Sequence, residues 1–286
     1  GASNALRDSD GPQRRRWSGK RFCDWSEDMR PAQLPYLEFH LTDHCNLNCA
    51  GCTHYCPIAG EGFLSMATFL KDMTRLSEIF TNIARIRIMG GEPLLHPSVA
   101  LFAGETRRFF PESSISIVTN GILLPSMGAD FYGALLQNDI ALDVSAYPAT
   151  EGMMRSHLFR AYRRDVPIRL TYVGTFERFV NAAGDSDGES AFRRCRVNRH
   201  CTFLRNGRIY HCCMPALADV PNGAFGLGIP GGDCVDIHAD VTADGILDYL
   251  KRPSAACAWC GDAVRFPWRL SRREREEWVL GKAGDA

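Results

Sequence analysis

Three cysteines stand close together in the stretch CNLNCAGC, at Cys45, Cys49 and Cys52. In a large chain without a secretion signal, clustered thiols more often bind metal or take part in chemistry than form disulfides. A structural zinc ion and a 4Fe-4S cluster each take four ligands, so three thiolates leave one iron of a cluster open to a further molecule. Cys56 either supplies the fourth ligand or is a packed, inert side chain.

A second group of cysteines lies near the end of the chain, after residues 57–194, which contain none. It includes Cys201, an alternative to Cys195 as the first ligand, and Cys213, whose side chain faces away from that of its neighbour on a strand. On spacing alone, a structural zinc ion could be held by four of these cysteines, Cys195, Cys212, Cys257 and Cys260.

The stretch CVDIHAD, residues 234–240, alternates polar and apolar residues with the period of a β-strand. Cys234, Asp236, His238 and Asp240 share the polar face, and the apolar face is predicted to pack in the core. The polar face either lines a cavity or faces solvent. In the first case the Cys234 thiol is a candidate for chemistry with a bound ligand.

The elements that position these side chains alternate between strands and helices from residue 36 onward. Such alternation predicts parallel strands with crossover helices, in an open sheet or a barrel, with the chemistry at the carboxyl ends of the strands. The first cysteine loop follows the strand YLEFHL, and three later strands end in GGEP, TNG and DVSAYP. We therefore predict that the cysteines and these three motifs meet at one edge of the sheet.

Composition and charge limit the function. The chain has 286 residues, 45% hydrophobic and 23% charged, with 33 basic and 33 acidic residues. Because these charges balance, they predict neither a nucleic acid nor an anionic membrane as partner. The sequence has no apolar run long enough for a membrane span and no secretion signal, so we predict a cytoplasmic protein.

The regular alternation stops near residues 180–195, where Gly, Pro and Cys become frequent. This change in composition predicts a domain boundary. The predicted segments are a polar N-terminal extension at 1–35, an α/β unit at 36–190, a small cysteine-rich domain at 191–263 and a C-terminal helix at 264–286.

The first three cysteines resemble the CxxxCxxC signature of the radical S-adenosylmethionine (radical SAM) superfamily, and GGEP resembles its second motif. The resemblance implies a partial (β/α)6 barrel, a 4Fe-4S cluster on Cys45, Cys49 and Cys52, and a one-electron reductant such as flavodoxin or ferredoxin. In the family, an electron from the cluster cleaves bound S-adenosyl-L-methionine to a 5'-deoxyadenosyl radical. The residues implied to contact this cofactor are Gly90, Gly91, Glu92, Pro93, Asn120, Ser145 and, in place of the aromatic residue that often precedes the third cysteine, Tyr55.

Cys195, Gly207 and Cys212, with the later CxxC pair Cys257 and Cys260, resemble the twitch module, which holds an auxiliary 4Fe-4S cluster after some radical SAM barrels. The resemblance implies a second 4Fe-4S cluster on these four cysteines. Enzymes of this size with one such module include epimerases and dehydrogenases of aminoglycosides and aminocyclitols, the neomycin C epimerases among them. The spare thiol and the acidic residues beside it favour an epimerase of a carbohydrate, an aminoglycoside, with Cys234 as the hydrogen donor. The alternatives are a dehydrogenase of an amino sugar or aminocyclitol, then a ribosomal-peptide maturase, then a non-enzymatic protein with two zinc sites.

Overall fold

The computed structural model of the chain describes residues 33–195 and 201–281. Cys23 and nearly all of the predicted N-terminal extension lie outside these residues, as does the end of the predicted C-terminal helix. Within the described part, no helix is long and apolar enough to cross a membrane.

The strands and helices are numbered in chain order. The strands are β1 (Gln33–Leu34), β2 (Leu37–His40), β3 (Asn82–Ile83), β4 (Arg85–Met89), β5 (Ser114–Thr119), β6 (Ile140–Ala146), β7 (Ile168–Tyr172), β8 (Thr175–Val180), β9 (Phe203–Arg205), β10 (Arg208–Tyr210), β11 (Val235–Asp236) and β12 (Cys260–Pro267). The helices are α1 (Met66–Ile79), α2 (Val99–Phe109), α3 (Ala129–Gln137), α4 (Glu151–Tyr162), α5 (Gly188–Arg194), α6 (Cys213–Ala216), α7 (Asp219–Phe225) and α8 (Ala243–Leu250).

A central sheet of eight strands organises the molecule, in the order β11-β10-β9-β2-β4-β5-β6-β7. The neighbours from β9 to β7 all pair in parallel, whereas β10 and β11 are antiparallel additions at one edge. Helices α1 to α4 connect successive parallel strands from β2 to β7. This mixed α/β fold with a central sheet agrees with the predicted fold class.

Helix α1 illustrates how the helices cover one face of this sheet. Ser65 caps its first turn, because the Ser65 hydroxyl accepts a hydrogen bond from Thr68 N at 3.1 Å. Phe69, Met73 and Leu76 recur at helical spacing and are all buried in the main hydrophobic core. The helix therefore presents one apolar stripe to the sheet.

Strand β4 shows how the sheet divides its residues between two faces. Ile86 and Ile88 are fully buried in the main core under the helices. Arg85 and Arg87 alternate with them along the strand and so lie on the opposite face. The same alternation on neighbouring strands gives a polar face, whose residues include Glu38, His40, Arg85, Arg87, Ser116, Asp143, Ser145 and Arg169.

Three strands that follow the predicted domain boundary, β9 to β11, join the central sheet, whereas β12 pairs with β8 in a separate two-stranded sheet. Strand β9 pairs with β2, so the chain returns to the first parallel strand after residue 201. Asp72 of α1 strengthens this connection, because it accepts a hydrogen bond from Gly207 N at 3.0 Å and lies 2.8 Å from His238 Nε2. The division into a barrel and a twitch-like unit stays a prediction.

The end of the described chain is not the predicted C-terminal helix. Strand β12 continues to Pro267, and the only helical turn after it in the described residues is a short 3-10 helix at Arg275–Glu277. The buried Glu277 carboxylate accepts hydrogen bonds from Arg269 Nη1 at 2.6 Å and Arg272 N at 3.0 Å. Because these side-chain bonds hold the backbone in a loop, the helical pattern of SRREREEWVLG is overridden.

Candidate active site

The first cysteine loop starts where β2 ends and packs against the GGEP loop after β4. Gly91 N donates to Thr42 O at 2.8 Å, and Glu92 N donates to His44 O at 3.1 Å. A Cβ atom on Gly91 would lie 2.0 Å from the carbonyl oxygen of His44, so this position accepts only glycine. The sequence predicts that Gly91 contacts the cofactor. In the structure, the close contact that requires glycine is with the backbone of the cysteine loop.

The Glu92 side chain joins GGEP to the TNG motif. It is fully buried, and its carboxylate accepts hydrogen bonds from Thr119 Oγ1 at 2.7 Å, Asn120 N at 2.8 Å and Leu94 N at 3.1 Å. Burial raises the pKa of Glu92 to about 7, against the effect of these donors. Pro93, also buried, begins the 3-10 turn that follows. Glu92 therefore fixes how two of the predicted motifs meet.

Asn120 lies beside the first cysteine. Its Nδ2 lies 3.6 Å from Cys45 Sγ and donates to Asn46 Oδ1 at 2.7 Å. Its Oδ1 accepts a hydrogen bond from Ile122 N at 3.0 Å. The Asn120 amide thus connects the end of β5 to the cysteine loop, as the shared sheet edge predicts.

The three thiols of the loop are free, and two of them receive N–H groups. Leu47 N lies 3.3 Å from Cys45 Sγ, and Trp268 Nε1 lies 3.1 Å from Cys49 Sγ. An N–H donor directed at sulfur stabilises the thiolate, which is the form that binds iron. The donors around Cys45, Cys49 and Cys52 therefore fit the ligands of a 4Fe-4S cluster.

Tyr147 and Trp268 lie beside the first cysteine loop at the carboxyl edge of the sheet. Neither residue was predicted from the sequence. The Tyr147 phenol forms a hydrogen bond with Ser145, while burial and the nearby thiols of Cys49 and Cys52 raise the pKa of Tyr147. The ring centroids of Tyr147 and Trp268 are 6.1 Å apart. Tyr147 belongs to the DVSAYP motif, which was a usable signal. Trp268 lies 219 positions from Cys49, where no local pattern connects the two.

Cys56 is buried next to the third cysteine. Its Sγ lies 3.6 Å from the carbonyl oxygen of His54. A hydrogen bond with the Cys56 thiol lowers the pKa of Cys52 to about 7, and the same contact raises the pKa of Cys56. Cys56 thus supports Cys52 as a thiolate, and it stays close enough to this loop to remain the alternative fourth ligand.

Tyr55, a predicted contact of the cofactor, is buried in the protein interior. Its side chain is 1% exposed and belongs to the second hydrophobic core, with its ring centroid 6.5 Å from that of Trp278. At the position before the third cysteine, Gly51 packs against Phe266, whose ring would lie 2.6 Å from a Cβ atom there. The structure therefore gives no support to the predicted contact between Tyr55 and the cofactor.

The second cysteine group forms a separate site. A cavity of about 30 Å³ is lined by all four predicted ligands, together with His211 and Phe192 among other residues. The elements that bring the thiols together are the end of α5, the start of α6, a 3-10 turn and the start of β12. The four thiols are Cys195, Cys212, Cys257 and Cys260.

Neither Cys201 nor Cys234 is among the residues that line this second cavity. Cys201 Sγ donates to Glu38 Oε1 on the polar face of the sheet at 3.3 Å, and Cys201 also contacts the Cys213 thiol. Cys234 Sγ lies 3.5 Å from Gly232 O. Its neighbours Asp236 and Asp240 are exposed, so the polar face of CVDIHAD is directed at solvent.

The three thiols of the first group fit an iron–sulfur cluster by their number and by the N–H donors to Cys45 and Cys49. Within residues 33–195 and 201–281, no group of three or more His, Cys, Asp or Glu side chains is arranged to bind a single metal ion. A cluster at the first site would be held by three thiolates, and one at the second site by four.

Comparison with known proteins adds relatives and a fold. No protein-family model matches the chain. The chain is 29% identical over 231 residues to a GTP 3',8-cyclase of Geobacter sulfurreducens, covering 71% of this chain and 62% of the relative. A GTP 3',8-cyclase of Clostridium acetobutylicum is 33% identical over 121 residues, 41% of this chain and 37% of the relative. The chain thus spans less than two thirds of these curated relatives.

Among solved structures, BtrN in complex with AdoMet and 2-DOIA shares the fold. The TM-score is 0.52 at 18% sequence identity, over 86% of this chain and 97% of BtrN. The sequence matches and the shared fold agree with the predicted resemblance to the radical SAM superfamily. The twitch module and the likeness to neomycin C epimerases stay predictions.

Proposed function

We propose that Cys45, Cys49 and Cys52 hold a 4Fe-4S cluster with one iron open to S-adenosyl-L-methionine. When bound, these groups supply a carbon-centred radical that takes a hydrogen atom from the substrate. The observation that supports the assignment most is that three free thiols, GGEP and Asn120 meet at the carboxyl edge of one parallel sheet. The backbone around Gly90 and the side chain of Asn120 are the proposed contacts of the cofactor.

The residues around the first site have supporting roles. The indole N–H of Trp268 stabilises negative charge on Cys49 Sγ. Glu92 holds the GGEP loop against the TNG segment through its hydrogen bond with Asn120 N. Ser145, on the polar face of the sheet, orients the Tyr147 phenol by a hydrogen bond. These contacts fix the site before any ligand binds, which is the condition for precise positioning of a substrate.

The second site is proposed to hold a further 4Fe-4S cluster on Cys195, Cys212, Cys257 and Cys260. The cavity lined by the four thiols supports this ligand set over one that contains Cys201, because the Cys201 thiol is directed at Glu38. The partners of the enzyme are then a small-molecule substrate and a one-electron reductant such as flavodoxin or ferredoxin.

The proposed reaction is epimerisation at a carbon of a carbohydrate, with hydrogen returned by a thiol. Cys201 replaces Cys234 as the proposed donor, because its contact with Glu38 lies on the polar face of the sheet and Cys234 has no such contact. The Cys201 S–H bond breaks and a C–H bond forms on the opposite side of the substrate carbon. The sulfur then takes one electron from the reductant and one proton from solvent.

The aminoglycoside part of the sequence prediction loses its support. It depended on an acidic strand face lining a cavity, and Asp236 and Asp240 of that face are exposed. The alternative reactions are dehydrogenation of a carbohydrate and cyclisation. The first is suggested by the 2-DOIA complex of BtrN, and the second by the GTP 3',8-cyclase relatives.

A substrate screen in deuterated water tests the reaction. The reconstituted full chain is incubated with S-adenosyl-L-methionine, dithionite and a panel of sugars, aminocyclitols and GTP, and products are analysed by mass spectrometry and NMR. We expect an epimer with one deuterium bound to carbon. Cys201→Ala is expected to lose the epimer while still releasing 5'-deoxyadenosine, and Cys234→Ala is the matched control that keeps it. A ketone or a cyclised product without deuterium would contradict epimerisation.

A further inference from the structure

The polar face of the central sheet carries a cluster of arginines that the proposed reaction leaves without a role. Arg85 Nη2 lies 3.0 Å from Asp143 Oδ2, and Arg87 Nε lies 3.7 Å from the same oxygen. Arg169 Nε lies 3.8 Å from Asp143 Oδ1, and Ser116 Oγ donates to Oδ2 at 3.0 Å. Three guanidinium groups from two strands thus converge on one carboxylate. We call Arg85, Arg87, Arg169 and Asp143 the arginine site.

The arginine site has an excess of positive charge. The four residues that define it are three cations and one anion, with a summed formal charge of plus two. Glu38, another carboxylate near Arg87, already accepts hydrogen bonds from Tyr36 and Cys201. When Glu38 is counted as ionised, these five residues together keep a formal charge of plus one. A further anion would therefore be attracted to this face.

Hydrogen-bonding capacity at the arginine site is also left over. The Nε atom of Arg87 is buried and makes no hydrogen bond with the described residues. Asp143 Oδ2, at 3.7 Å, is too far away for a hydrogen bond, and a buried N–H group without one is costly, so a ligand oxygen that accepted from it would remove that cost. The site is nevertheless reachable, because the side chains of Arg85, Arg87 and Arg169 are 22%, 27% and 40% exposed.

The arginine site lies on the same face as the candidate active site and below it. Asp143 precedes Ser145 by two residues on β6, and side chains two residues apart on a strand lie about 7 Å apart on one face. Ser145 contacts Tyr147, which packs against Trp268 beside Cys49. A substrate whose reacting carbon lies near the cysteine edge would reach the arginine site with its other end.

We propose that the arginine site binds an oxyanion group of the substrate, a carboxylate or a phosphate. The inference rests on the proposed function, because it places this group on the molecule that reacts at the cysteine edge. Guanidinium groups present paired N–H donors that match the oxygens of both anions. The substrate class is then an acidic or phosphorylated carbohydrate rather than a polycationic amino sugar.

Calorimetric titration tests the site without turnover. The reconstituted full chain with S-adenosyl-L-methionine, and without reductant, is titrated separately with inorganic phosphate, acetate, glucose 6-phosphate, glucuronate and glucosamine. We expect binding either of the two phosphates, inorganic phosphate and glucose 6-phosphate, or of the two carboxylates, acetate and glucuronate. Glucosamine, which has no anionic group, is expected not to bind. The Arg85→Gln variant is expected to bind that anion at least about tenfold more weakly. Arg108→Gln, on the exposed side of α2, is the matched control and binds as the wild type does.

Asp143→Asn gives a change of the opposite sign. Removing the carboxylate raises the positive charge, so the anion is expected to bind about tenfold more tightly. A misfolded variant cannot show this gain. The inference is overturned if no anion of the panel binds the wild type, if Arg85→Gln binds unchanged, or if Asp143→Asn does not bind more tightly. Release of 5'-deoxyadenosine after addition of dithionite to the same samples reports the proposed function separately.

Discussion

Glu92 is the residue that joins the predicted motifs of the candidate site. Its buried carboxylate accepts donors from three positions, two of them in the TNG segment. Burial raises its pKa from 4.5 to about 7. The folded protein therefore holds a proton on Glu92 more readily than the unfolded chain does.

This pKa shift predicts how stability depends on pH. Because the pKa is raised in the folded state, the stabilisation is complete below about pH 4.5 and is lost as pH rises through about 7. Glu92→Gln cannot ionise, so its cost in unfolding free energy is expected to be smaller at pH 8 than at pH 5, by about 3 kcal/mol. Urea unfolding of both proteins at several pH values measures this difference. A cost that is constant or grows with pH would contradict the shift.

At the scale of residues, the motifs in the sequence predicted where the site lies. They did not predict side chains that reach the site from distant positions in the chain. Cys45, Asn120 and Glu92 stand in short patterns at strand ends, and the structure brings them together. Trp268 reaches Cys49 from another part of the chain. A contact of this kind depends on tertiary packing, which no local pattern encodes.

At the scale of elements, the packing of the GGEP loop on the cysteine loop depends on Gly91. A Cβ atom there would lie 2.0 Å from a backbone carbonyl oxygen, and backbone cannot move aside as a flexible side chain does. We expect Gly91→Ala to separate the two loops and to abolish retention of the first cluster. Gly133→Ala, in the open middle of α3, is the control and is expected to stabilise the helix by about 1 kcal/mol.

Iron analysis and thermal unfolding measure both glycine variants. Equal iron content in Gly91→Ala and the wild type would show that the two loops do not need this close contact.

The elements around the second site make a prediction about metal content. Cys195 directly follows helix α5 and Cys260 begins strand β12; both line the same cavity, while the Cys201 thiol is directed at Glu38 on the sheet. Cys195→Ser is therefore expected to lose about four of about eight irons per chain after anaerobic reconstitution. Cys201→Ser is the matched control and is expected to retain them. Zinc in place of iron at this site, or loss of iron in the control, would contradict the assignment.

The strands and helices of the parallel unit could be predicted because their pattern is local and repeated. Ile86 and Ile88 alternate with arginines, and Phe69 and Met73 recur at helical spacing. The short strands β9 to β11 could not be assigned to the same sheet, because their partner β2 lies far away in sequence. The helical pattern near Glu277 failed for a different reason, since side-chain bonds to the backbone compete with a helix there.

At the scale of the whole molecule, the shared sheet predicts that both halves unfold together. Strand β9 pairs with β2, and Asp72 of α1 holds Gly207 and His238. Far-UV circular dichroism reports mainly on the helices of the first half, whereas three of the five tryptophans, Trp259, Trp268 and Trp278, report on the second half by fluorescence. We expect the two signals to change at the same urea concentration, and Asp72→Ala to lower both midpoints, with a loss of about 1–3 kcal/mol.

Exposed Asp240→Ala is the control for Asp72→Ala and is expected to leave both midpoints unchanged within about 0.5 kcal/mol. A fluorescence transition at clearly lower urea would instead indicate that the cysteine-rich part folds as an independent unit.

The proposed activity of the whole molecule requires that three thiolates at one sheet edge hold a cluster with one iron open to S-adenosyl-L-methionine. Release of 5'-deoxyadenosine from S-adenosyl-L-methionine and dithionite, by reconstituted wild type and single cysteine variants, tests this claim most directly. We predict release by the wild type and by Cys56→Ala, and none by the Ala variants of Cys45, Cys49 and Cys52. No release by the wild type, or loss of release in Cys56→Ala with full iron content in Cys52→Ala, would contradict it.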